Sequence, residues 1–204
     1  MYAYVVFYSR YGNTAKLADA IAEGIENEAE IDAEMAYVRD TFTPQEVIDR
    51  DPRWKETKQE LEERYPAFDL EKLKNADAII TGSPTRFGNM AAPLKNVWDQ
   101  CAGLWQEGAL IDKVGAAFTC TASIHGGQET TPVSMFLPML HHGMILAGVP
   151  YSEEKLLTTT GGGTPYGATA VVGHNSDQPP DETELAIART LGERVARLTA
   201  ELHG

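Results

Sequence analysis

One short turn contains the residue types that bind phosphate groups. The run Ser9-Arg10-Tyr11-Gly12-Asn13-Thr14 follows an apolar segment and precedes a segment of helical spacing. Its side chains offer hydroxyl and amide donors, and Gly12 lets a ligand approach the backbone closely. A helix N-terminus adds free N–H groups and the positive end of the helix dipole. Since the turn lacks the Walker lysine and the three spaced glycines of a dinucleotide fingerprint, it predicts a compact monophosphate ester. Taken alone, it fits a simple capped turn equally well.

Two further turns have a similar character and favour the binding interpretation. They run from Ser83 to Met90 and from Thr121 to Glu129, and both are rich in small, hydroxyl and amide residues. Each follows a predicted strand, and the carboxyl ends of parallel strands meet at one edge of a sheet, where ligands bind. The three turns together therefore predict a site for a phosphate and for a flat polar ring system held mainly by main-chain groups.

Hydrophobic periodicity predicts the elements that position these turns. Apolar, β-branched runs predict five strands: Tyr2–Tyr8, Ala33–Val38, Asp77–Gly82, Val114–Cys120 and Met144–Val149. Helical spacing predicts four helices: Thr14–Glu28, Ala91–Gln100, Glu129–His142 and Asp181–Leu202, the last with a capping box of Asp181 and Glu184. Segment 39–64 is predicted to be a loop with helical pieces, and segment 150–180 a functional loop. This alternation predicts an α/β fold: a doubly wound, five-stranded parallel sheet with helices on both faces, in a single domain over residues 1–204.

Composition excludes several classes of function. The 204 residues include 17 Lys and Arg against 30 Asp and Glu, a net charge of −13. Because nucleic-acid binding needs clustered cations, no nucleic-acid partner is expected. No run approaches the roughly 20 apolar residues that span a bilayer, so no membrane span is expected. The N-terminal run lacks the basic start and cleavage site of a signal peptide, which predicts a cytoplasmic protein. The acidic excess fits either adaptation to high salt or simple solubility.

The two cysteines predict neither a disulfide framework nor a metal site. Cys101 and Cys120 do not form a CxxC motif and have no histidine at metal-ligand spacing. They are expected to be reduced packing residues.

Five motifs, spread over nearly the whole chain and in the same order, resemble one family of flavoproteins. Ser9-x-Tyr-Gly-x-Thr14 resembles the phosphate loop of flavodoxin-like proteins. Four others resemble the WrbA-type NAD(P)H:quinone oxidoreductases: Gly82-Ser-Pro-Thr-Arg-Phe-Gly-Asn-Met90, Gly103-Leu-Trp105, His141-His-Gly-Met144 and Gly162-Gly-Thr-Pro-Tyr-Gly-Ala168. Ordinary electron-carrier flavodoxins usually have Thr in place of Tyr11 and lack the last motif.

The resemblance implies noncovalent FMN, held by three groups of residues. Its phosphate is implied to lie on Ser9, Arg10, Tyr11, Gly12, Asn13 and Thr14. Its ring is implied to lie between Pro84, Thr85, Arg86, Phe87, Gly88 and Asn89 on one side and Cys120, Thr121, Ala122, Ser123, Gly126 and Gly127 on the other. The turn after Cys120 is one residue longer than the family's common form and carries Ile124 and His125.

The resemblance also implies a reaction and an assembly. NADH or NADPH passes hydride to FMN near Tyr11, and a quinone then takes two electrons. The quinone is implied to stack on Trp105, in a slot shaped by Phe87. Trp105 and His141 are the implied catalytic residues, with His141 beside the flavin of a neighbouring subunit. Members of the family are tetramers, so a homotetramer is expected.

Each of these residues also has a purely structural alternative. Trp105 alone would more often be a core residue. His141 and His142 lie about 100° apart on a helix and cannot share a ligand, so one would be partly buried and satisfied and the other exposed. His125 is expected to face solvent, and Arg86 fits a surface salt bridge as well. For the whole chain, the alternatives are a noncatalytic electron carrier that docks through its acidic surface and a module that keeps FMN for structure alone.

Overall fold

The computed structural model describes residues 1–28 and 31–203. The strands in this part of the chain are β1 (Tyr2–Phe7), β2 (Asp32–Tyr37), β3 (Ala78–Arg86), β4 (Asn89–Met90), β5 (Val114–Thr121), β6 (Ile145–Leu146) and β7 (Ala168–Val171). The helices are α1 (Asn13–Glu26), α2 (Gln45–Ile48), α3 (Pro52–Arg64), α4 (Leu70–Asn75), α5 (Ala92–Gln100), α6 (Ala102–Glu107), α7 (Thr130–His141), α8 (Lys155–Thr158) and α9 (Glu182–His203).

The main sheet is parallel and doubly wound, as the alternation of strands and helices predicts. Its order is β2-β1-β3-β5, with both β6 and β7 beside β5. β2 and β3 lie on opposite sides of β1, so the strand order along the chain reverses there. The topological switch point therefore lies between the carboxyl ends of β1 and β3. β3 is longer than predicted because it stays paired with β5 as far as Pro84 and Cys120, and it then forms a short hairpin with β4.

The sheet has seven strands in the described residues rather than the five predicted, because β4 adds a hairpin strand and the outer edge is built from two short strands. β6 pairs with the start of β5, at Val114 and Gly115, whereas β7 pairs with its end, from Phe118 to Thr121. The predicted strand Met144–Val149 therefore ends early. The Val149 N–H donates to the carbonyl of Pro165 at 3.1 Å rather than to β5. Gly148 permits this departure, since a Cβ there would lie 2.0 Å from the same carbonyl oxygen.

Helices cover both faces of the sheet. α1 and α9 pack on each other and on the strands, and α7 packs against β5 and β6. The capping box predicted for α9 is confirmed: the Glu184 N–H donates to Asp181 Oδ1 at 2.8 Å, and the Asp181 N–H donates to Glu184 Oε2 at 2.9 Å. Within the described residues, no helix has the length and apolarity needed to cross a bilayer.

Candidate cofactor-binding site

A cavity of about 250 Å³ lies at the carboxyl ends of the parallel strands. The three turns singled out in the sequence line it, together with a fourth segment that follows β7. Its lining residues are Ser9, Arg10, Tyr11, Asn13, Thr14, Pro84, Thr85, Arg86, Cys120, Thr121, Ala122, Val172, His174 and Ser176. Because the turns after β1 and β3 flank the switch point, this is the position where open α/β sheets bind ligands.

The side chains of the turn after β1 do not cap the helix that follows. α1 begins at Asn13, and Gly12 before it has the left-handed backbone φ of 85°. No side chain of residues 1–28 or 31–203 caps the N-terminus of α1. The Ser9 hydroxyl instead accepts from the Gly12 N–H at 3.0 Å. The first N–H groups of a 14-residue helix are thus left for a ligand, which disfavours the alternative of a simple capped turn.

β3 and β5 supply two adjacent walls of the cavity. Pro84 and Cys120 are register partners in the parallel ladder. The Thr119 hydroxyl donates to the Ser83 carbonyl at 2.6 Å and ties the strands together just below the cavity. Thr131, in the first turn of α7, donates from its hydroxyl to Thr85 Oγ1 at 2.8 Å. The position of the β3 wall is therefore fixed from two sides.

The fourth wall was missed by sequence reasoning. Val172, His174 and Ser176 follow β7, and the Val172 N–H donates to the Thr121 carbonyl at 2.8 Å. The Asn13 amide donates from Nδ2 to the Ser176 carbonyl at 2.8 Å. This bond joins the segment to the turn Ser9–Thr14, hereafter the phosphate turn. The only sequence signal was the assignment of 150–180 as a functional loop, and that assignment did not single out its last residues.

The first turn of α3 surrounds Tyr11, a second feature that the sequence did not indicate. The Tyr11 hydroxyl donates to Asp51 Oδ2 at 2.6 Å. The Asp51 carboxylate also caps α3 by accepting from the Trp54 N–H at 3.1 Å. The Arg10 guanidinium carbon lies 3.8 Å from the centroid of the Trp54 ring, and the Arg53 guanidinium carbon lies 4.8 Å from that of Tyr11. Segment 39–64 thus holds Tyr11 and Arg10 from outside the cavity lining.

The electrostatics of the cavity favour an anion. Arg10 and Arg86 both line it, in a chain of net charge −13. The Arg10 guanidinium lies 3.7 Å from Asp51 Oδ2, and its Nε is buried with no hydrogen-bond partner within residues 1–28 and 31–203. The hydrogen bond from Tyr11 lowers the pKa of Asp51, which keeps this carboxylate ionised beside Tyr11 and Arg10.

Phe87 lies at the tip of the β3–β4 hairpin rather than in the cavity wall. It has a backbone φ of 56°, and Gly88 after it has 79°, so two consecutive residues adopt the left-handed region. The Phe87 side chain is fully exposed. A bulky aromatic residue in this conformation is strained, and strain of this kind concentrates at ligand sites.

Trp105 and His141 are brought together, but in a second pocket. This pocket has a volume of about 410 Å³ and shares no lining residue with the first. Both side chains are exposed. His142 is buried, in tilted contact with Trp98 at 5.7 Å between ring centroids, and burial lowers its pKa. The expectation that the buried histidine is satisfied is wrong for Nδ1, which has no partner among the described residues.

The remaining predicted site residues lie outside the lining of the first cavity. Gly12 forms the backbone of the phosphate turn, and Asn89 pairs with Arg86 in the hairpin. Ser123 forms the turn after β5, where its carbonyl accepts from the Gly126 N–H at 3.0 Å. A Cβ on Gly127 would lie 2.9 Å from the Gly88 backbone, so the two turns approach closely there.

Three comparisons with known proteins agree with this geometry. The family model described as NADPH-dependent FMN reductase matches residues 8–152. A protein of Trichlorobacter lovleyi named NAD(P)H dehydrogenase (quinone) is 45% identical, over 97% of this chain and 97% of its own. A protein of the same name from Chromohalobacter salexigens is 44% identical over 98% of each chain.

Solved structures share the fold. A flavodoxin, WrbA-like protein from Agrobacterium tumefaciens superposes with a TM-score of 0.68, at 24% identity over 98% of each chain. A flavodoxin from the domain Archaea gives a TM-score of 0.63, at 23% identity over 98% of this chain and 99% of its own. The family match and the two curated relatives carry the assignment beyond the fold: the chain belongs to the NADPH-dependent FMN reductase family, and its curated relatives are named NAD(P)H dehydrogenase (quinone).

Proposed function

We infer that this chain is an FMN-dependent oxidoreductase that transfers two electrons from NADH or NADPH to quinones. The observation that carries the inference is the cavity at the switch point, where an uncapped helix N-terminus and the two strand-end turns meet. The family assignment and the curated relatives named NAD(P)H dehydrogenase (quinone) support the same activity.

The residues present fit a flavin mononucleotide. The phosphate would be held by the N–H groups at the start of α1 and by the side chains of Ser9, Asn13 and Thr14, which line the cavity. Arg10, which also lines the cavity, would add a positive charge beside the phosphate. The ring would be held between the walls that follow β3 and β5, with Arg86 as a cation at the rim.

The chain's own part in the chemistry is to bind and orient the cofactor and the substrates and to exclude water from the cavity. The chemistry that FMN supplies when bound is the uptake of hydride from the nicotinamide and the transfer of two electrons to the quinone. Arg86 stabilises negative charge that develops in the cavity. Tyr11, held by Asp51, borders the cavity where we propose that the nicotinamide nucleotide approaches.

We propose that the acceptor site is completed between copies of the chain in a homotetramer. Trp105 and His141 share a pocket whose lining is separate from that of the cofactor cavity of their own chain, which supports a role for both residues beside the cofactor of a neighbouring copy. In that arrangement Trp105 stacks on the quinone, Phe87 borders the slot, and His141 supplies a hydrogen bond or proton to a quinone oxygen. We further propose that the chain is one domain and that the protein is cytoplasmic, as its sequence predicts.

The activity is tested with purified protein loaded with FMN. NADH and NADPH are each mixed with benzoquinone, and oxidation is followed as loss of the reduced-nicotinamide absorbance. We expect FMN-dependent turnover. The double variant Ser9→Ala with Thr14→Val should bind FMN at least tenfold more weakly, because it removes two hydroxyl donors to the phosphate.

The matched control is Ser152→Ala, which removes an exposed hydroxyl outside the cavity lining. Protein that binds FMN but oxidises neither NADH nor NADPH would contradict the proposal and would favour an electron carrier or a structural module. Unchanged FMN affinity in the double variant would contradict the phosphate assignment.

A further inference from the structure

Arg53 connects the first turn of α3 to the wall of the cavity that follows β7. Its Nη1 donates to the Asn175 carbonyl at 2.8 Å, and its Nη2 donates to the Ser176 carbonyl. The Ser176 carbonyl also accepts from Asn13 Nδ2 at 2.8 Å. One carbonyl therefore joins the phosphate turn, the α3 turn and the last wall of the cavity.

The segment that Arg53 holds has an unfavourable backbone. Ser176 has a φ of 54°, in the left-handed region, and Gly173 has a φ of 76°. The Ser176 N–H donates to the Gly173 carbonyl at 3.0 Å, and the Gln178 N–H to the Val172 carbonyl at 3.1 Å. Since the left-handed region is unfavourable for the non-glycine residue Ser176, contacts with neighbouring residues must hold this turn in place.

Arg53 is itself held in place by its surroundings. Asp51 caps α3 and accepts from the Tyr11 hydroxyl, which fixes the first turn of the helix against the phosphate turn. The Trp54 side chain is buried, and the Arg53 guanidinium carbon lies 4.8 Å from the Tyr11 ring centroid. Because the guanidinium is a planar fork, it matches two successive carbonyls, which a lysine ammonium cannot do in the same way.

We propose that Arg53 is a positioning residue that slows the release of FMN. It holds the carbonyls of Asn175 and Ser176, and so holds the His174–Ser176 wall against the cofactor cavity. The proposal rests on the proposed function, since it assumes that this cavity takes FMN. When this wall opens, both Arg53 bonds break, and the wall no longer helps to retain FMN. The effect therefore falls on the dissociation rate, and the association rate changes little.

The test measures FMN release from three variants and the wild type, followed by the rise in FMN fluorescence on dilution. Arg53→Ala removes both bonds, and Arg53→Lys keeps the charge without the fork. Arg50→Ala is the matched control, because Arg50 is exposed, carries the same charge and has no hydrogen bond or ion pair within the described part of the chain. Hydrogen exchange of the 172–178 amides in the apoproteins reports directly on the wall.

We expect FMN release about fivefold faster in Arg53→Ala, an intermediate rate in Arg53→Lys and the wild-type rate in Arg50→Ala. Exchange of the 172–178 amides should be faster in Arg53→Ala, and the association rate should stay within about twofold of the wild type. Unchanged release in Arg53→Ala would overturn the proposal. So would full recovery in Arg53→Lys or an equal effect of Arg50→Ala, since either would mean that charge alone acts.

The same measurements separate this proposal from the proposed function. Wild-type protein that fails to bind FMN would contradict both. Wild-type protein that binds FMN and oxidises nicotinamide nucleotides, together with unchanged release from Arg53→Ala, would contradict the role of Arg53 alone.

Discussion

Cys120 lies in the wall of the cofactor cavity, yet its thiol is chemically protected. It is 3% exposed, and burial raises its pKa to about 12. Cys101 is fully buried, and burial raises its pKa to about 11. Since the thiolate is the nucleophile, both residues are almost entirely unreactive at neutral pH. The cavity wall therefore contains sulfur without adding a redox-active group of its own.

Thiol labelling tests this protection. At pH 8 we expect an aromatic disulfide reagent to label neither cysteine in the folded protein within an hour. Two thiols per chain should be labelled once guanidinium unfolds it. Rapid labelling of one thiol in the folded protein, especially in the absence of FMN, would show that the cavity wall opens to solvent.

Asp51 makes the contact between α3 and the phosphate turn depend on pH. The hydrogen bond from Tyr11 is the largest cause of its lowered pKa, followed by the bond from the Trp54 N–H. A carboxyl whose pKa is lower in the folded state stabilises the fold fully above its ordinary pKa of about 3.9. That contribution is lost as the pH falls below this value and through the folded-state pKa.

The Asp51→Ala variant measures this contribution. We expect its free energy of unfolding to be about 1 kcal/mol lower than that of the wild type at pH 6, the usual size of a lost helix cap. The difference should shrink as the pH falls below about 3.9, because the Asp51 carboxyl of the unfolded chain becomes protonated there while that of the folded protein is still ionised. Urea unfolding at several pH values gives the result, and a difference that stays constant to pH 3 would contradict the role of the ionised carboxylate.

At the scale of elements, α1 and α9 pack more closely than ordinary side chains allow. A Cβ on Gly192 would lie 2.1 Å from the Ile21 carbonyl oxygen, and one on Gly24 would lie 2.1 Å from that of Arg189. Reciprocal glycines therefore set the distance between these two helices. Since α1 begins at the phosphate turn, this packing also positions the cofactor site.

Gly192→Ala should move the helices apart and destabilise the protein. We expect a loss of about 2–3 kcal/mol in the free energy of unfolding, the scale of an overpacked core. Gly103→Ala is the matched control, because Gly103 lies in α6 and no described residue outside its own helix backbone and chain neighbours comes within 4 Å of the added Cβ. This variant should gain about 0.5–1 kcal/mol from helix propensity. The midpoints of urea unfolding decide, and equal midpoints for the two variants would contradict the close-packing argument.

The elements also explain how much of the site the sequence predicts. Ser9–Thr14 and the turns after β3 and β5 follow strongly apolar strands, so their common edge follows from the parallel topology. Asp51 and Arg53 lie in a polar segment whose position depends on tertiary contacts with Tyr11 and the 175–176 carbonyls. No periodicity signals such contacts. The division of the outer edge into β6 and β7 likewise depends on Gly148 meeting Pro165, a contact 17 residues away in sequence.

At the scale of the whole molecule, α7 carries an exposed apolar face. Val133, Leu137 and Leu140 are 40%, 57% and 55% exposed, and their spacing places them on one side of the helix. α7 ends at His141, which lines the aromatic pocket with Trp105. An exposed apolar face of this kind, beside a pocket whose lining is separate from that of the cofactor cavity, fits an interface between copies.

Leu137→Glu tests whether assembly completes the quinone site. We expect the wild type to have a mass in solution of about four times the chain mass of 22.3 kDa, and the variant to dissociate, because a charge in an apolar interface is unpaired. Leu202→Glu is the control: Leu202 is 49% exposed, it lies on α9, and its replacement adds the same charge.

FMN affinity should survive in both variants, because the cofactor cavity is built within one chain. Quinone turnover should fall at least tenfold only in Leu137→Glu, because separated copies cannot bring Trp105 and His141 to a neighbouring cofactor. A wild type that is monomeric and fully active would contradict a site shared between copies.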